Sequence, residues 1–344
     1  MVNEPLSDRL RAPLAIAVGL LMLGSLFAGC ITSDSGGGQA NLKQTGSSTV
    51  HPLAQAWAQE FTEAEIAVSG GGSSHGRNAI LTGNAHLGDA SSKMGPGDYD
   101  KVGCDVSQDE IDAAQSGPHP WKYPSCNGVT PTEWVVAWDV LVVVVNPNND
   151  WADELSYEQL RQIFTTENTA EKWSEVEGLE DAPDEKIEIH APDAASGTYE
   201  FFFEEVAGHT DKSLLAEGSD RYHGSANDNV ILNKITENEN AIGYFGLAYY
   251  VQNEDKIDTV AISEEGEDFV EPSFETASEY PVTRPLHIYT DGVPSGDDAT
   301  SQAVKDYMCF AMSEEGQSIV PDVGYVKESD FDPESHSNQQ SKVC

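Results

Sequence analysis

The chain has 344 residues, with 18 Lys and Arg against 59 Asp and Glu, so its formal charge is −41. A chain this acidic lacks the basic footprint that nucleic-acid binding requires, and no nucleic acid is expected as partner. The hydrophobic share is 39%, and large apolar residues such as Trp151, Leu160, Ile163 and Trp173 run through the acidic stretches, which excludes a disordered acidic tail.

Acid spread over a folded body strains the compact state through self-repulsion. At molar salt the Debye length falls to about 3 Å and that repulsion is screened. The composition therefore points to an extreme halophile.

In chain order, Arg9 and Arg11 form a short basic region, residues 12–29 are apolar and helix-permissive, and Ala28-Gly29 precedes Cys30. Charge, apolar core and small-residue cleavage site in that order read as a secretory signal over residues 1–29. A cysteine just after the small pair resembles a lipoprotein signal, which implies cleavage before Cys30 and lipidation of its sulfur. A single membrane span is the alternative. Residues 30–40, with their Gly/Ser stretch, read as a flexible tether. The remaining body of about 315 residues is large enough for two domains.

Residues 53–61 carry Leu53, Ala54, Trp57, Ala58 and Phe61 at helical spacing. A strand is expected at 66–69, a helix at 77–82 and a strand at 87–92, whereas 95–131 is too rich in Gly, Pro and Ser to assign. Residues 134–145 are an almost unbroken apolar run and read as a buried strand. Ser156 and Gln159 have the spacing of a capping box for a helix ending near Phe164. Strands follow at 187–190, 241–245 and from about 281 to 290, with helices from about 196, at 227–235 and at 300–312. Strands alternate with helices, so the fold class is α/β.

Besides Cys30 there are four cysteines, and the local pairings are Cys104 with Cys126 and Cys309 with Cys344. No metal-ligand spacing occurs among the cysteines or the nine histidines, and neither metal nor cofactor is expected.

Three hydroxyl- and glycine-rich turns each open a helix: Gly46-Ser47-Ser48-Thr49, Gly72-Ser73-Ser74 and Ala195-Ser196-Gly197-Thr198. A helix N-terminus offers free N–H groups and a positive dipole end, and Ser and Thr add hydroxyl donors. One such turn is ordinarily a helix cap; three that converge would build an oxyanion site from neutral donors. An enzymatic reading competes. Residues 72–76 fit Gly-x-Ser-x-Gly, the nucleophile elbow of serine hydrolases, with Asp139 or Asp193 and His287 following in the Ser-Asp-His order. Ser73 or Ser196 could likewise serve a phosphatase. No P-loop is present.

Eight segments in order, TGSSTVHPLAQAW, GGGSSHGRNAI, LGDASS, VVAWDVLVVVVNPNNDWADELSYEQLRQIF, SGTYEFF, NDNVILNKI, NAIGYFGLAYY and RPLHIY, resemble the phosphate-binding proteins of phosphate ABC transporters. The resemblance spans about residues 42–325. It implies a two-lobed periplasmic-binding-protein fold, type II-like, with the ligand in the interlobe cleft and two crossing strands as hinge. Lobe 1 would take residues 41–133 and 285–344, and lobe 2 residues 134–284.

By motif position the resemblance implies Thr49 and Val50 as first-loop ligands with Ser48 beside them, Ser73 in the second loop, Ser91, and Ser196, Gly197 and Thr198 in the third. The chain departs from the family just before the third loop, where many members carry an arginine and an aspartate; here those positions are Pro192 and Ala194. Asp193 and Asp89 are the candidate carboxylates, and Arg77 is the candidate cation. The implied function is an extracytoplasmic, lipid-anchored, monomeric phosphate receptor, without catalysis, that serves a membrane permease. A sulfate or molybdate receptor is the alternative.

Overall fold

The computed structural model describes residues 39–166, 169–193, 197–207, 219–264 and 266–344. The signal, Cys30, most of the tether and Ser196 lie outside the described residues. The strands in chain order are β1 (Ala40–Gly46), β2 (Ala64–Gly70), β3 (Leu87–Ala90), β4 (Trp121–Lys122), β5 (Pro131–Val145), β6 (Glu154–Ser156), β7 (Glu188–Pro192), β8 (Tyr222–Ser225), β9 (Ala241–Gly246), β10 (Asp258–Thr259), β11 (Ala261–Ser263), β12 (Thr283–Asp291) and β13 (Val326–Lys327). The helices are α1 (His51–Glu60), α2 (Ser73–Leu81), α3 (Pro96–Lys101), α4 (Gln108–Ala114), α5 (Tyr157–Phe164), α6 (Gly197–Ala207), α7 (Asp228–Glu237), α8 (Leu247–Val251), α9 (Ala299–Ala311), α10 (Glu314–Val323), α11 (Glu328–Phe331) and α12 (Pro333–Val343). Ala40, assigned to the tether from sequence, is already the first residue of β1.

The architecture is mixed α/β. One sheet follows the order β2-β1-β3-β12-β5-β9-β7-β8, with β4, β10 and β13 also pairing with β5, and β6 pairs with β11 apart from it. β1 runs parallel to β2 and β3, and β7 runs parallel to β8 and β9. β12 and β5 are the antiparallel exceptions at the centre.

β5 explains the arrangement. Its sequence, PTEWVVAWDVLVVVV, is buried at every position but Trp138. Val136 and Ala137 pack in one apolar cluster with Leu42, Leu53, Trp57 and Tyr307. Val140 to Val145 pack in a second with Leu155, Trp173, Phe202 and Tyr244. One strand thus serves two cores. β12 pairs with its first ten residues and β9 with its last five. Each large side chain fully buried in these clusters contributes about 1.5–3 kcal/mol.

The helices start where local chemistry sets them. At α5 the capping box forms as the spacing predicts: Gln159 N donates to Ser156 Oγ at 3.3 Å and Ser156 N donates to Gln159 Oε1 at 2.8 Å. Asp298 caps α9 by accepting from Thr300 N and Ser301 N at 2.9 and 3.0 Å. Both local disulfides form, Cys104–Cys126 and Cys309–Cys344. The first ties the unassigned stretch after α3 to the β-bridge before β5; closing a loop of that size is worth about 3 kcal/mol in the chain-entropy account. The second fastens the end of α12 to α9. Among the described residues no helix is long and apolar enough to cross a membrane.

Candidate functional site

β1 ends at Gly46, where φ is 148°, and a Cβ there would lie 2.0 Å from Asp89 O. A Cβ on Gly76 of α2 would lie 2.3 Å from the same oxygen. Only glycine at both positions lets the end of β1 and the first turn of α2 press against β3. Backbone bonds then lock the loops: Ser47 N donates to Asp89 O and Gly72 N to Gly46 O, each at 2.9 Å.

That close packing brings three hydroxyls from three segments together. Ser47 Oγ donates to Ser91 Oγ at 3.2 Å, and the Ser73 and Ser91 hydroxyls are 3.1 Å apart. Ser91 N donates to Ser73 Oγ at 3.0 Å. Thr49 N and Val50 N, at the start of α1, both point at Ser47 Oγ, at 3.1 and 3.3 Å. The start of α1, with N–H groups, and the start of α2, with the Ser73 hydroxyl, therefore meet at one spot.

A cation stands beside it. Arg284, on β12, is buried, and its Nη2 donates to Thr49 Oγ1 at 3.0 Å and to Asp139 Oδ2 at 3.0 Å. Its Nε reaches the same carboxylate oxygen at 3.2 Å. The guanidinium carbon lies 4.1 Å from the ring centroid of Phe201, one turn along α6 from Gly197 and Thr198. Arg284 thus joins the first loop to the helix of the third by a charge-assisted bond and a cation–π contact. Tyr325 OH fixes the loop from the other side, donating to Thr49 O at 2.6 Å. Burial pushes Asp139 above the usual carboxylate range, and Arg284 opposes that.

The other sequence-derived residues fall in different places. Ser48 is exposed. Val50 buries its side chain in the core and brings only its N–H. Gly197 and Thr198 begin α6, and Tyr222 OH donates to Pro192 O at the end of β7 at 2.8 Å, just before Asp193. Asp193, half-buried in that loop, packs beside Gly224. Asp89 is fully buried; its Oδ1 accepts from Gln44 Nε2 at 2.8 Å, and Gln44 Oε1 accepts from Tyr307 OH at 2.9 Å. Its carboxyl thus faces the interior between β1 and α9. Burial pushes it up to about 8, against the Gln44 bond, and Oδ2 has no hydrogen-bond partner among the described residues.

Arg77 is set in a brace apart from the hydroxyl cluster. Its Nε is 2.7 Å from Asp98 Oδ2, and its Nη1 donates to both Ser92 oxygens at 2.9 Å. The serine at the centre of the hydrolase-like motif, Ser74, contacts Asp98 and Lys101, while His287 is buried against Glu133.

Sequence reading passed over Arg284, took Ser47 only as part of a turn and took Asp139 only as a candidate hydrolase acid. A signal existed for two of them. Asp139 interrupts a run of valines, and Arg284 is one of few cations in the chain and sits in a strand that also carries Leu286, Ile288 and Tyr289; a charge in a buried strand needs a buried partner.

The family model described as the PBP superfamily domain matches residues 32–315. A phosphate-binding protein PstS of Staphylococcus aureus is 30% identical over 321 residues, which cover 90% of this chain and 86% of the relative. The chain belongs to the PstS family of the PBP superfamily. A PstS of Staphylococcus saprophyticus is 29% identical over 333 residues, covering 95% of this chain and 92% of that one. Among solved structures, a chain described as a possible phosphate binding protein from Planctomyces limnophilus gives a TM-score of 0.69 at 29% identity, covering 89% of this PstS-family chain and 98% of its own.

Proposed function

We propose that this PstS-family protein is an extracytoplasmic receptor that binds inorganic phosphate and presents it to the membrane permease of an ABC transporter. The observation that carries the reading is the meeting of Ser47, Ser73 and Ser91 hydroxyls beside Thr49 and the buried Arg284. The PstS relatives, named for phosphate binding, support it.

A dianion taken out of water needs its oxygens satisfied, because unpaired buried charge is very costly. Hydroxyls and N–H groups of Thr49, Ser73 and Ser91 hold it from the first lobe, and Ser196, Gly197 and Thr198 from the second. Arg284 supplies the cation that Pro192 and Ala194 do not. The lobes are residues 41–133 with 285–344, and 134–284; β5 and β12 cross between them and flex as the hinge.

Phosphate near neutral pH keeps a proton that sulfate lacks. An ionised carboxylate in the site accepts that proton and repels sulfate. Asp193, beside the start of α6, is the carboxylate we assign to this role. Asp89, held protonated by burial, fits it only where it ionises.

Binding needs no nucleophile, and Ser74 and His287 have separate partners, which favours a receptor over a hydrolase. Lipid on Cys30 would hold the monomer at the outer face of the membrane, and the acidic surface suits a saline exterior.

The test is calorimetric titration of residues 31–344 in multimolar KCl with phosphate, then sulfate. One equivalent of tightly bound phosphate, with sulfate weaker by orders of magnitude, is the expected result. Tight sulfate or molybdate binding, or no binding of any oxyanion, overturns phosphate as ligand. Release of p-nitrophenol from its phosphate ester would overturn the absence of catalysis.

A further inference from the structure

We propose that Glu188, His190 and His223 form a site for one divalent transition-metal ion of the zinc type, separate from the oxyanion site and independent of what that site binds. Glu188 and His190 are two residues apart on β7 and so share one face of the sheet. β8 runs parallel beside β7, in a register that sets His223 against His190. One carboxylate and two imidazoles are thereby placed on one face by strand geometry alone.

Their ligand atoms all lie within 4.8 Å of one another. The two rings stack with centroids 4.8 Å apart, and His223 Nε2 is 2.9 Å from Glu188 Oε2. A tetrahedral ion bound at about 2.0–2.1 Å holds its ligand atoms about 3.3 Å apart. The cluster is within a side-chain rotation of that geometry, and His223 is exposed and able to make it. Two nitrogens and one carboxylate suit zinc over magnesium or calcium, which prefer oxygen. Three protein ligands leave a fourth position for water.

The surroundings allow the ion. The cations facing the cluster are Lys234 of α7, which is paired to Glu237 at 2.9 Å, and Arg221, just before β8. β8 ends the sheet order among the described residues, and His223 on it is exposed, so the cluster meets solvent there. An ion there would fasten this short edge strand to β7, the strand that leads into the Asp193 loop.

The test is titration of the protein with zinc chloride, in concentrated KCl with millimolar magnesium and no phosphate, followed by calorimetry. One equivalent of zinc is expected, with affinity falling on the order of a hundredfold in His223→Ala and in Glu188→Gln. Cobalt(II) should give the intense visible absorption of a tetrahedral site in the native protein and not in His190→Ala. Unchanged thermal midpoints of the variants without metal confirm that they fold. Lack of stoichiometric zinc binding, or zinc binding equal in native protein and both titrated variants, overturns the site and leaves only a diffuse acidic surface.

Discussion

β5 and β12 carry two buried charge clusters, and the two are built for opposite ends. At one, Asp139 faces Arg284 in register. At the other, beyond the register shift between Leu286 and His287, Glu133 is surrounded: His287 Nδ1 is 3.3 Å and His119 Nε2 3.4 Å from its Oε1, Tyr123 OH donates to its Oε2 at 2.8 Å, and Tyr289 OH donates to the same oxygen. Glu133 spends all its partners on itself. Arg284 has a permanent charge, and besides Asp139 its fork reaches Thr49 and its face reaches Phe201. A buried charge closed within one strand pair rigidifies; one whose bonds and ring contact reach into two other segments can couple them to a ligand.

The largest effect expected is at the open cluster. Arg284→Met strands the buried Asp139 and removes the cation, which costs about 3–5 kcal/mol, or about a hundred- to several thousandfold in phosphate affinity if that cost falls on the bound state. Arg284→Lys keeps charge but not the planar fork and should recover little. Phosphate titration reads both; near-native affinity in Arg284→Met would make the two clusters equivalent and the comparison wrong.

At the closed cluster, Glu133→Gln should cost about 1–3 kcal/mol of stability and leave phosphate affinity within about twofold of native. Burial alone would raise Glu133, but the charge of His287 and bonds from His119, His287 and Tyr289 outweigh it and hold the carboxyl well below its usual range. A depressed folded value means stability present above the unfolded carboxylate value, about 4.3, and lost as pH falls toward the folded one. Urea unfolding between pH 3 and 7 should therefore fall less steeply toward acid in the variant. An acid limb identical to the native one would show that Glu133 is not held ionised.

How much of this was legible in sequence follows the same division. The long apolar run of β5, the α5 capping box and the first two hydroxyl turns are local patterns, and each is where it was expected; Ala195 and Ser196 of the third turn lie outside the described residues. The first strand was missed because Gln44 and Thr45 are polar yet fully buried, which hides the apolar signal of β1. The C-terminal elements were missed for a related reason: α12 buries Gln339 and Val343 and is polar elsewhere. The Ser47–Ser73–Ser91 cluster could be guessed only as three separate turns, since the glycine contacts that join them span distant segments. Arg284 meets Asp139 across 145 positions, a pairing no local pattern encodes.

Asp89 tests the comparison from a third side, as a buried carboxyl with no cation. Its value is pushed up to about 8 by burial. A raised folded value means stability that is full below the unfolded value, about 3.9, and declines as pH rises to about 8. Asp89→Asn, keeping the Gln44 contact, should flatten that decline and be the more stable protein at pH 9. If the native slope persists, the carboxyl is ionised in the fold. If the variant also loses phosphate-over-sulfate preference, Asp89 belongs with the open cluster.

The smallest expected effect separates position from residue type between the first two loops. Ser48 and Ser73 are both serines at a helix start, but Ser48 is exposed while Ser73 shares hydrogen bonds with the side chain and backbone of Ser91. A neutral hydrogen bond lost from a buried site costs about 1 kcal/mol, so Ser73→Ala should weaken phosphate binding about fivefold. Ser48→Ala, with no buried partner to strand, should change it by less than about twofold. Equal losses would mean that the loops close over the ligand far enough to bury Ser48, and the site would then extend to the outer edge of the first turn.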